Sequence, residues 1–201
     1  MAARLTYRFF DTGAMYRAIT WLALREGINP HDAAALVALA EHASIDVRES
    51  PAGNAERTSV IIADADATPH LRDADVEAHV SLVSRVAGVR TALVRIQRDL
   101  AANGGVVMAG RDIGTVVLPR AELKVYLDAS RRVRAERRAA QMGAVGRERD
   151  IEALMTDLAR RDGIDSAREI SPLTAAHDAV IINTDEMTID EVVEHIVELA
   201  L

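Results

Sequence analysis

The sequence predicts an α/β fold with a mainly parallel sheet, and two observations support this. First, three short apolar segments, "VVMAG", "AELKVYLDAS" and "HDAVIINTDEM", have the length of strands and alternate with helical patterns, which is typical of parallel sheets. Second, the size of the chain limits the number of such units: 201 residues with 49% apolar content are enough to bury the core of one ordinary domain. We therefore predict a single domain over residues 1–201, with one small insertion.

The first half of the chain contains helical and strand patterns separated by polar turns. Asp11 or Thr12 is a suitable N-cap for the first long helix, and Gly27 follows the end of that helix. The turn-rich segment "SPAGNAE" separates two strand-like segments and predicts a β-hairpin. The predicted elements are helices over residues 14–26 and 31–43 and strands over residues 45–48 and 58–63.

The second half continues the alternation of helices and strands. A helical pattern over residues 73–102 is broken near Gly88 and precedes the strand "VVMAG". The next predicted strand, "AELKVYLDAS", is expected to be buried, with Lys124 inside it. Further helices are predicted over "RRVRAERRAAQMG" and over residues 150–162. Thr188 is predicted to cap a last helix whose apolar face contains Val192, Val193, Ile196, Val197 and Ala200.

Composition argues against several classes of function. The chain has no cysteine, which excludes disulfides, thiolate metal sites and thiol nucleophiles. Its longest wholly apolar run, residues 33–40, is too short to cross a bilayer. A net charge of -7 argues against a general nucleic-acid binder. We therefore expect a soluble, cytoplasmic protein with no nucleic-acid partner and no membrane partner. We also expect a monomer, which composition does not determine, and we assign no residue as a metal ligand.

The basic residues are unusual because Lys124 is the only lysine among 24 lysines and arginines. Arginine carries a planar guanidinium that binds phosphate or carboxylate oxygens in bidentate fashion. GC-rich coding explains the total count of arginines as well as a function does. Only the positions of particular arginines can therefore support a functional argument.

The segment "GRDIGT" comes directly after a predicted strand, where the ligands of doubly wound sheets gather. Gly110 allows a turn, Arg111 can bind phosphate, Asp112 supplies an acceptor, and Gly114 allows backbone to approach a ligand. The alternative is a structural ion pair beside a glycine turn. This segment alone does not decide between the two.

Two groups of arginines farther along the chain indicate anion binding. Arg161, Asp165 and Arg168 are spaced to share one helix face, although ordinary surface ion pairing is the alternative. Four more arginines lie close together in one predicted helix, where like charges are unfavourable unless an anion neutralises them, and a solvated face is the alternative. These four are Arg131, Arg134, Arg137 and Arg138.

Four ordered motifs together resemble the bacterial cytidylate kinase family of nucleoside monophosphate kinases. They are "FDTGAMYRAIT", "GRDIGTVVLPRAELKVYLDAS", "RAERRAAQ" and "RRDGIDSAREISPLTAAHDAVIINT", and the resemblance covers essentially the whole chain. It implies transfer of a phosphoryl group from ATP to CMP or dCMP, with Mg²⁺. It also implies a P-loop NTPase-like parallel sheet with helices on both faces, a small β insertion in the substrate-binding region near residues 45–75, and a helical lid near residues 134–160.

The resemblance also implies a role for each candidate residue. The residues implied for the CMP phosphate are Tyr16, Arg17, Arg111 and Arg168, and the three arginines are the catalytic candidates. Those implied for cytosine are Ser81, Arg90 and Asp112. Those implied for the sugar are Arg161 and Asp165, with Thr12 lining the same pocket. Those implied for the ATP lid are Arg134, Arg137 and Arg138.

The chain departs from the family pattern in three ways. Ala109 replaces an acidic residue, and Asn183 replaces an aspartate. No G-x-x-x-x-G-K-[ST] occurs, so the first strand and phosphate loop of the family are expected to be missing, and the chain is then expected to express poorly and to have little ATP-dependent activity. Three hypotheses remain open here: a cytidylate kinase, a homologue that binds CMP without phosphorylating it, and a fragment without function.

Overall fold

A computed structural model of the chain describes residues 1–49, 58–143, 150–166 and 173–201. The structure divides into two compact units, Ala2–Ile113 and Gly114–Leu201, with Met1 grouped with the second. Each unit combines parallel strands with several helices, so the predicted α/β class is confirmed.

The first unit contains five strands and five α-helices within the described ranges. Its strands are β1 (Arg8–Asp11), β2 (Ile45–Glu49), β3 (Thr58–Ile62), β4 (Ala65–Asp66) and β5 (Val106–Ala109). Its helices are α1 (Ala2–Leu5), α2 (Thr12–Arg25), α3 (Ala33–His42), α4 (Ala74–Val83) and α5 (Ala87–Ala101), with a 3₁₀ helix at Thr68–His70.

Helix α2 lies at the centre of the core of this unit. Met15, Ile19 and Leu22 follow the i, i+4, i+7 spacing that places side chains on one helix face, and all three are buried. Burial of each such side chain stabilises the fold by about 1.5–3 kcal/mol. Packing of α2 against α4, β3 and α3 therefore fixes the position of its N-terminal end.

Two sheets form in the first unit. β1 pairs in parallel with β5, and the register places Asp11 opposite Ala109. β2, β3 and β4 form an antiparallel sheet, in which the alternating residues Thr58, Val60 and Ile62 of β3 are buried. The predicted β-hairpin is confirmed, and the alternation follows from the period of two in a strand.

The second unit contains the parallel strands β6 (Val125–Asp128) and β7 (Val180–Asn183), which pair from Val125 opposite Val180 onwards. Its helices are α6 (Arg131–Gly143), α7 (Ile151–Ser166) and α8 (Ile189–Ala200), and a π-helical turn covers Ile113–Val117. Thr188 caps α8 as predicted: its hydroxyl accepts the Glu191 backbone N–H, and the Glu191 carboxylate accepts the Thr188 N–H.

The helical region after residue 73 breaks between Val83 and Ala87, close to Gly88, which lies in the first turn of α5, as predicted. One expectation from the sequence is wrong in detail. The strand predicted to be buried contains Leu127, which is 53% exposed, and Lys124 lies just before β6. Apolar composition predicts that a strand tends to be covered, but it does not specify which element covers it.

The part of the chain that the structure describes contains no helix that is both long enough and apolar enough to cross a membrane.

Candidate functional site

The carboxyl ends of β1 and β5 lie side by side and bring two of the predicted motifs together. Thr12 follows β1, whereas Gly110, Arg111 and Asp112 follow β5. The Thr12 hydroxyl donates to the Ala109 carbonyl at 3.0 Å, which connects the start of α2 to the end of β5. Since ligands of parallel sheets bind beyond the carboxyl ends of the strands, this edge is the candidate site.

Thr12 itself is buried, and its hydroxyl proton is used within the protein. A Cβ at Gly110 would overlap the Thr12 hydroxyl and the Ile113 side chain, so glycine is required for this close approach. The sequence predicted that Thr12 lines the pocket. The structure shows that it connects the two strand ends, and its role in lining a pocket stays a prediction.

Arg90 and Asp112 form a buried ion pair at this edge. Their side chains are only 4% and 7% exposed, and the Arg90 guanidinium donates to the Asp112 carboxylate. The guanidinium carbon of Arg90 also lies 5.3 Å from the centre of the Tyr16 ring, which is within the range of a cation–π contact. The structure therefore places Tyr16, Arg90 and Asp112 in one cluster.

Ser81 is connected to this cluster through Ser84. The Arg90 guanidinium donates to the Ser84 carbonyl at 3.2 Å, and the Ser84 hydroxyl donates to the Ser81 carbonyl at 3.2 Å. Both serines lie at the C-terminal end of α4, where the last carbonyls of a helix lack partners within the helix. Ser84 was not predicted from the sequence, because nothing local distinguishes it from other serines near the end of a helix.

Arg17 is the predicted phosphate ligand on α2. Its guanidinium nitrogen Nη1 lies 3.8 Å from a carboxylate oxygen of Asp11, and its side chain is 19% exposed. Asp11 also caps α2, since it accepts the Gly13 backbone N–H at 2.9 Å. Arg111, the next predicted phosphate ligand, is exposed directly after β5. The first unit thus carries two arginines beyond its parallel strand ends.

The predicted lid arginines have protein partners in the second unit. Arg134 donates to Asp162 at 2.6 Å, and this hydrogen bond raises the pKa of the Arg134 guanidinium above its ordinary value. Arg137 donates to the Thr184 hydroxyl at 2.9 Å, to the Thr184 carbonyl, and to the Met187 carbonyl at 3.3 Å. These bonds connect α6 to α7 and to the turn after β7. The role of these arginines toward ATP stays a prediction.

The remaining predicted site residues lie in the segment after Arg160. Arg161 and Asp165 belong to α7, which extends to Ser166 and so runs four residues beyond its predicted end. Their side chains are outside the described part of the structure, as is the whole of Arg168. The assignment of these three residues to the sugar and phosphate therefore stays a prediction.

Among the described residues, no group of three or more histidine, aspartate or glutamate side chains is arranged to hold a metal ion.

The fold and the site together define a class of protein. Parallel strands end at a cluster that contains arginines, a buried carboxylate and a helix N-terminus, and this arrangement is typical of α/β proteins that bind phosphorylated ligands. The family model described as cytidylate kinase matches residues 1–201. The chain therefore belongs to the cytidylate kinase family, whose fold is of the P-loop NTPase class.

Curated relatives over nearly the full chain agree with this family. A cytidylate kinase of Bacillus licheniformis is 47% identical over 199 residues, which is 99% of this chain and 87% of the relative. A cytidylate kinase of Desulforamulus reducens is 47% identical over 98% of this chain and 86% of the relative. A cytidylate kinase of Corynebacterium glutamicum is 43% identical over 99% of this chain and 85% of the relative.

Proposed function

We propose that the protein transfers the γ-phosphoryl group of ATP to CMP or dCMP, giving ADP and CDP or dCDP. Family membership and the names of the relatives support this reaction. The structural observation that carries the proposal is the buried Arg90–Asp112 pair beyond β5. A buried ion pair is a costly way to stabilise a fold, so a role in binding accounts for it better than a role in stability.

The pair also fits the base of CMP. The edge of cytosine offers an amino group that donates and two atoms that accept, and Asp112 and Arg90 can present the complementary acceptor and donors. The Nε–H of Arg90 is buried without a hydrogen-bond partner among the described residues. Uracil carries a carbonyl in place of the amino group, so it would place an acceptor against the Asp112 carboxylate.

The transfer needs positive charge more than a covalent nucleophile. An oxygen of the CMP phosphate forms a bond to the γ-phosphorus of ATP, the bond from that phosphorus to the β,γ-bridging oxygen breaks, and ADP leaves with that oxygen. Arg17, Arg111 and Arg168 are the candidates to bind the acceptor phosphate and to stabilise the charge on the transferred group. Tyr16 is proposed to contact the same phosphate, and Thr12 is proposed to line the same pocket. Arg161 and Asp165 are proposed to bind the sugar.

We propose that the protein binds ATP together with Mg²⁺. Mg²⁺ in kinases is bound mainly by phosphate oxygens and water, with one or two carboxylates, so a group of three protein carboxylates is not needed.

Arg134, Arg137 and Arg138 are the proposed lid arginines. The bond of Arg134 to Asp162 uses only one of its guanidinium nitrogens, so other N–H groups remain to contact ATP phosphates. We further propose that the chain acts as one cytoplasmic nucleoside monophosphate kinase domain and as a monomer.

Two measurements on the protein test the proposal. Calorimetric titration should give clear binding of CMP and dCMP and much weaker binding of UMP. The sequence alone predicts little ATP-dependent activity, whereas family membership supports the kinase, so a coupled assay should detect ADP release that depends on CMP. Binding of CMP without ADP release would favour the homologue that binds but does not phosphorylate, whereas equal affinity for CMP and UMP would contradict the role of Arg90 and Asp112.

A further inference from the structure

Arg17 is held at the start of α2 by Asp11 and Gly13, two neighbours that have no part in the proposed reaction. One carboxylate oxygen of Asp11 lies 3.8 Å from Arg17 Nη1, and the other accepts the Gly13 N–H at 2.9 Å. The Asp11 backbone is also fixed, because its N–H donates to the buried Thr58 hydroxyl at 2.8 Å. A single carboxylate therefore connects the helix N-terminus to the guanidinium.

Gly13 leaves the space into which the guanidinium folds back. A Cβ at residue 13 would lie 2.9 Å from Arg17 Nη1 and 3.0 Å from Asp11 Oδ1, closer than side-chain carbons ordinarily approach. Gly13 does not have a positive φ, so the backbone there accepts alanine. Because Nη1 ends a flexible side chain, an alanine would displace the guanidinium rather than disrupt the helix.

We propose that Asp11 and Gly13 are positioning residues that fix the Arg17 guanidinium for the phosphate of CMP. This inference rests on the proposed function, in which Arg17 binds that phosphate. At 3.8 Å the carboxylate attracts the guanidinium without forming a hydrogen bond to it, so Asp11 orients the group electrostatically. Gly13 acts by shape, since the Cβ of any other residue would lie only 2.9 Å from Nη1 and would displace it.

Two substitutions separate positioning from folding. Gly13→Ala displaces the guanidinium and favours the helical backbone, while Asp11→Asn removes the charge and keeps an N-cap side chain of equal quality. Both variants should bind CMP about tenfold more weakly, since a misplaced charged group loses much of its interaction with phosphate. Both should retain the wild-type affinity for cytidine, which lacks the phosphate, and the wild-type thermal midpoint.

Asp32→Asn is the matched control, because Asp32 caps α3 through the Ala35 N–H at 3.0 Å without a role toward Arg17. It should leave the affinity for CMP unchanged. In an Arg17→Ala background, Asp11→Asn should cause no further loss, since the two residues act through one interaction. Equal losses of CMP and cytidine affinity, or unchanged CMP affinity in both variants, would overturn the inference while the proposed function stands. A wild-type protein that binds no CMP would overturn the proposed function and this inference with it.

Discussion

The guanidinium of Arg90 binds the carboxylate of Asp112, and the two side chains are 4% and 7% exposed. Removing two charges from water costs free energy, and the attraction between the charges offsets that cost only in part. The pair therefore connects stability and the proposed recognition of cytosine at the same two residues, and substitutions can separate the two effects.

Replacing Asp112 by asparagine should lower the free energy of unfolding by about 3 kcal/mol, because a buried guanidinium loses its counterion. The double variant Arg90→Met, Asp112→Leu should recover most of this loss, since both charges are absent and apolar side chains fill the space. It should not recover selective CMP binding. Urea unfolding and calorimetric titration with CMP and UMP measure the two effects, and a double variant that still prefers CMP would contradict the assignment.

Replacing Arg168 by lysine should weaken CMP binding nearly as much as replacing it by alanine, because an ammonium cannot form the bidentate bond of a guanidinium to phosphate. Arg131→Lys is the matched control. Arg131 is exposed at the start of α6, and although it belongs to the arginine group of that helix, the family resemblance assigns it no ligand. Arg131→Lys should therefore leave the affinity for CMP nearly unchanged. Calorimetric titration with CMP measures both variants. Wild-type affinity in both Arg168 variants would show that Arg168 has no phosphate role.

The ion pair between Asp178 and Lys124 makes the free energy of unfolding depend on pH in the acid range. It accepts two bonds from the buried Lys124 ammonium, at 2.9 and 2.7 Å, which lower the pKa of the Asp178 carboxyl below its ordinary value. Because the folded-state pKa is lowered, the contribution of the pair to stability is complete above the unfolded-state pKa of about 4, and it is lost as pH falls through the folded-state pKa. The loss therefore takes place below about pH 4.

Asp178→Asn should therefore lower the free energy of unfolding at neutral pH, and the difference from wild type should shrink as pH falls below about 4. Urea unfolding between neutral pH and pH 3 measures this. In a Lys124→Met background, Asp178→Asn should lose this pH-dependent effect because the partner is gone. A difference that stayed constant with pH would show that the ion pair does not contribute.

The packing of α3 against α5 depends on Gly88. A Cβ at this residue would lie 2.5 and 2.8 Å from the two terminal carbons of Val37. Gly88→Ala should therefore destabilise the fold by about 1–3 kcal/mol through overpacking. Gly163→Ala is the matched control, because none of the described residues lies within 4 Å of its Cβ position in α7, and it should stabilise by up to about 1 kcal/mol. Urea unfolding of the two variants should thus give effects of opposite sign.

Local features of the fold were predictable from the sequence. Asp11 and Thr188 cap helices because each is followed by a helical segment whose first N–H groups need acceptors, and such caps involve only neighbouring residues. The hairpin strands β2 and β3 follow from alternation on both sides of a polar turn. These predictions succeeded because their determinants lie within a few residues of one another.

Contacts between distant segments were not predictable from patterns. The closely spaced arginines of α6 were compatible with anion binding or with a solvated face, and neither interpretation indicates that Arg134 binds Asp162, 28 positions later, and that Arg137 binds Thr184, 47 positions later. A carbonyl or carboxylate supplied from elsewhere in the chain leaves no local signal. The connection of Ser81 to Arg90 through Ser84 was missed for the same reason, since it depends on how α4 ends beside α5.

The hydrogen bond between Thr12 and Ala109 joins residues 97 positions apart, and it has a consequence for synthesis of the protein. A ribosome adds about 5–20 residues per second, so the N-terminal part of α2 emerges about 5–20 seconds before the strand end that completes its edge of the site. During this interval the nascent chain can form its hairpin and helices, whose contacts are shorter in range, but β5, the parallel partner of β1 among the described strands, has not yet been made. The edge of the candidate site at β1 and β5 is thus assembled late in translation, and ribosome pausing between these two positions would prolong exposure of the unpaired strand.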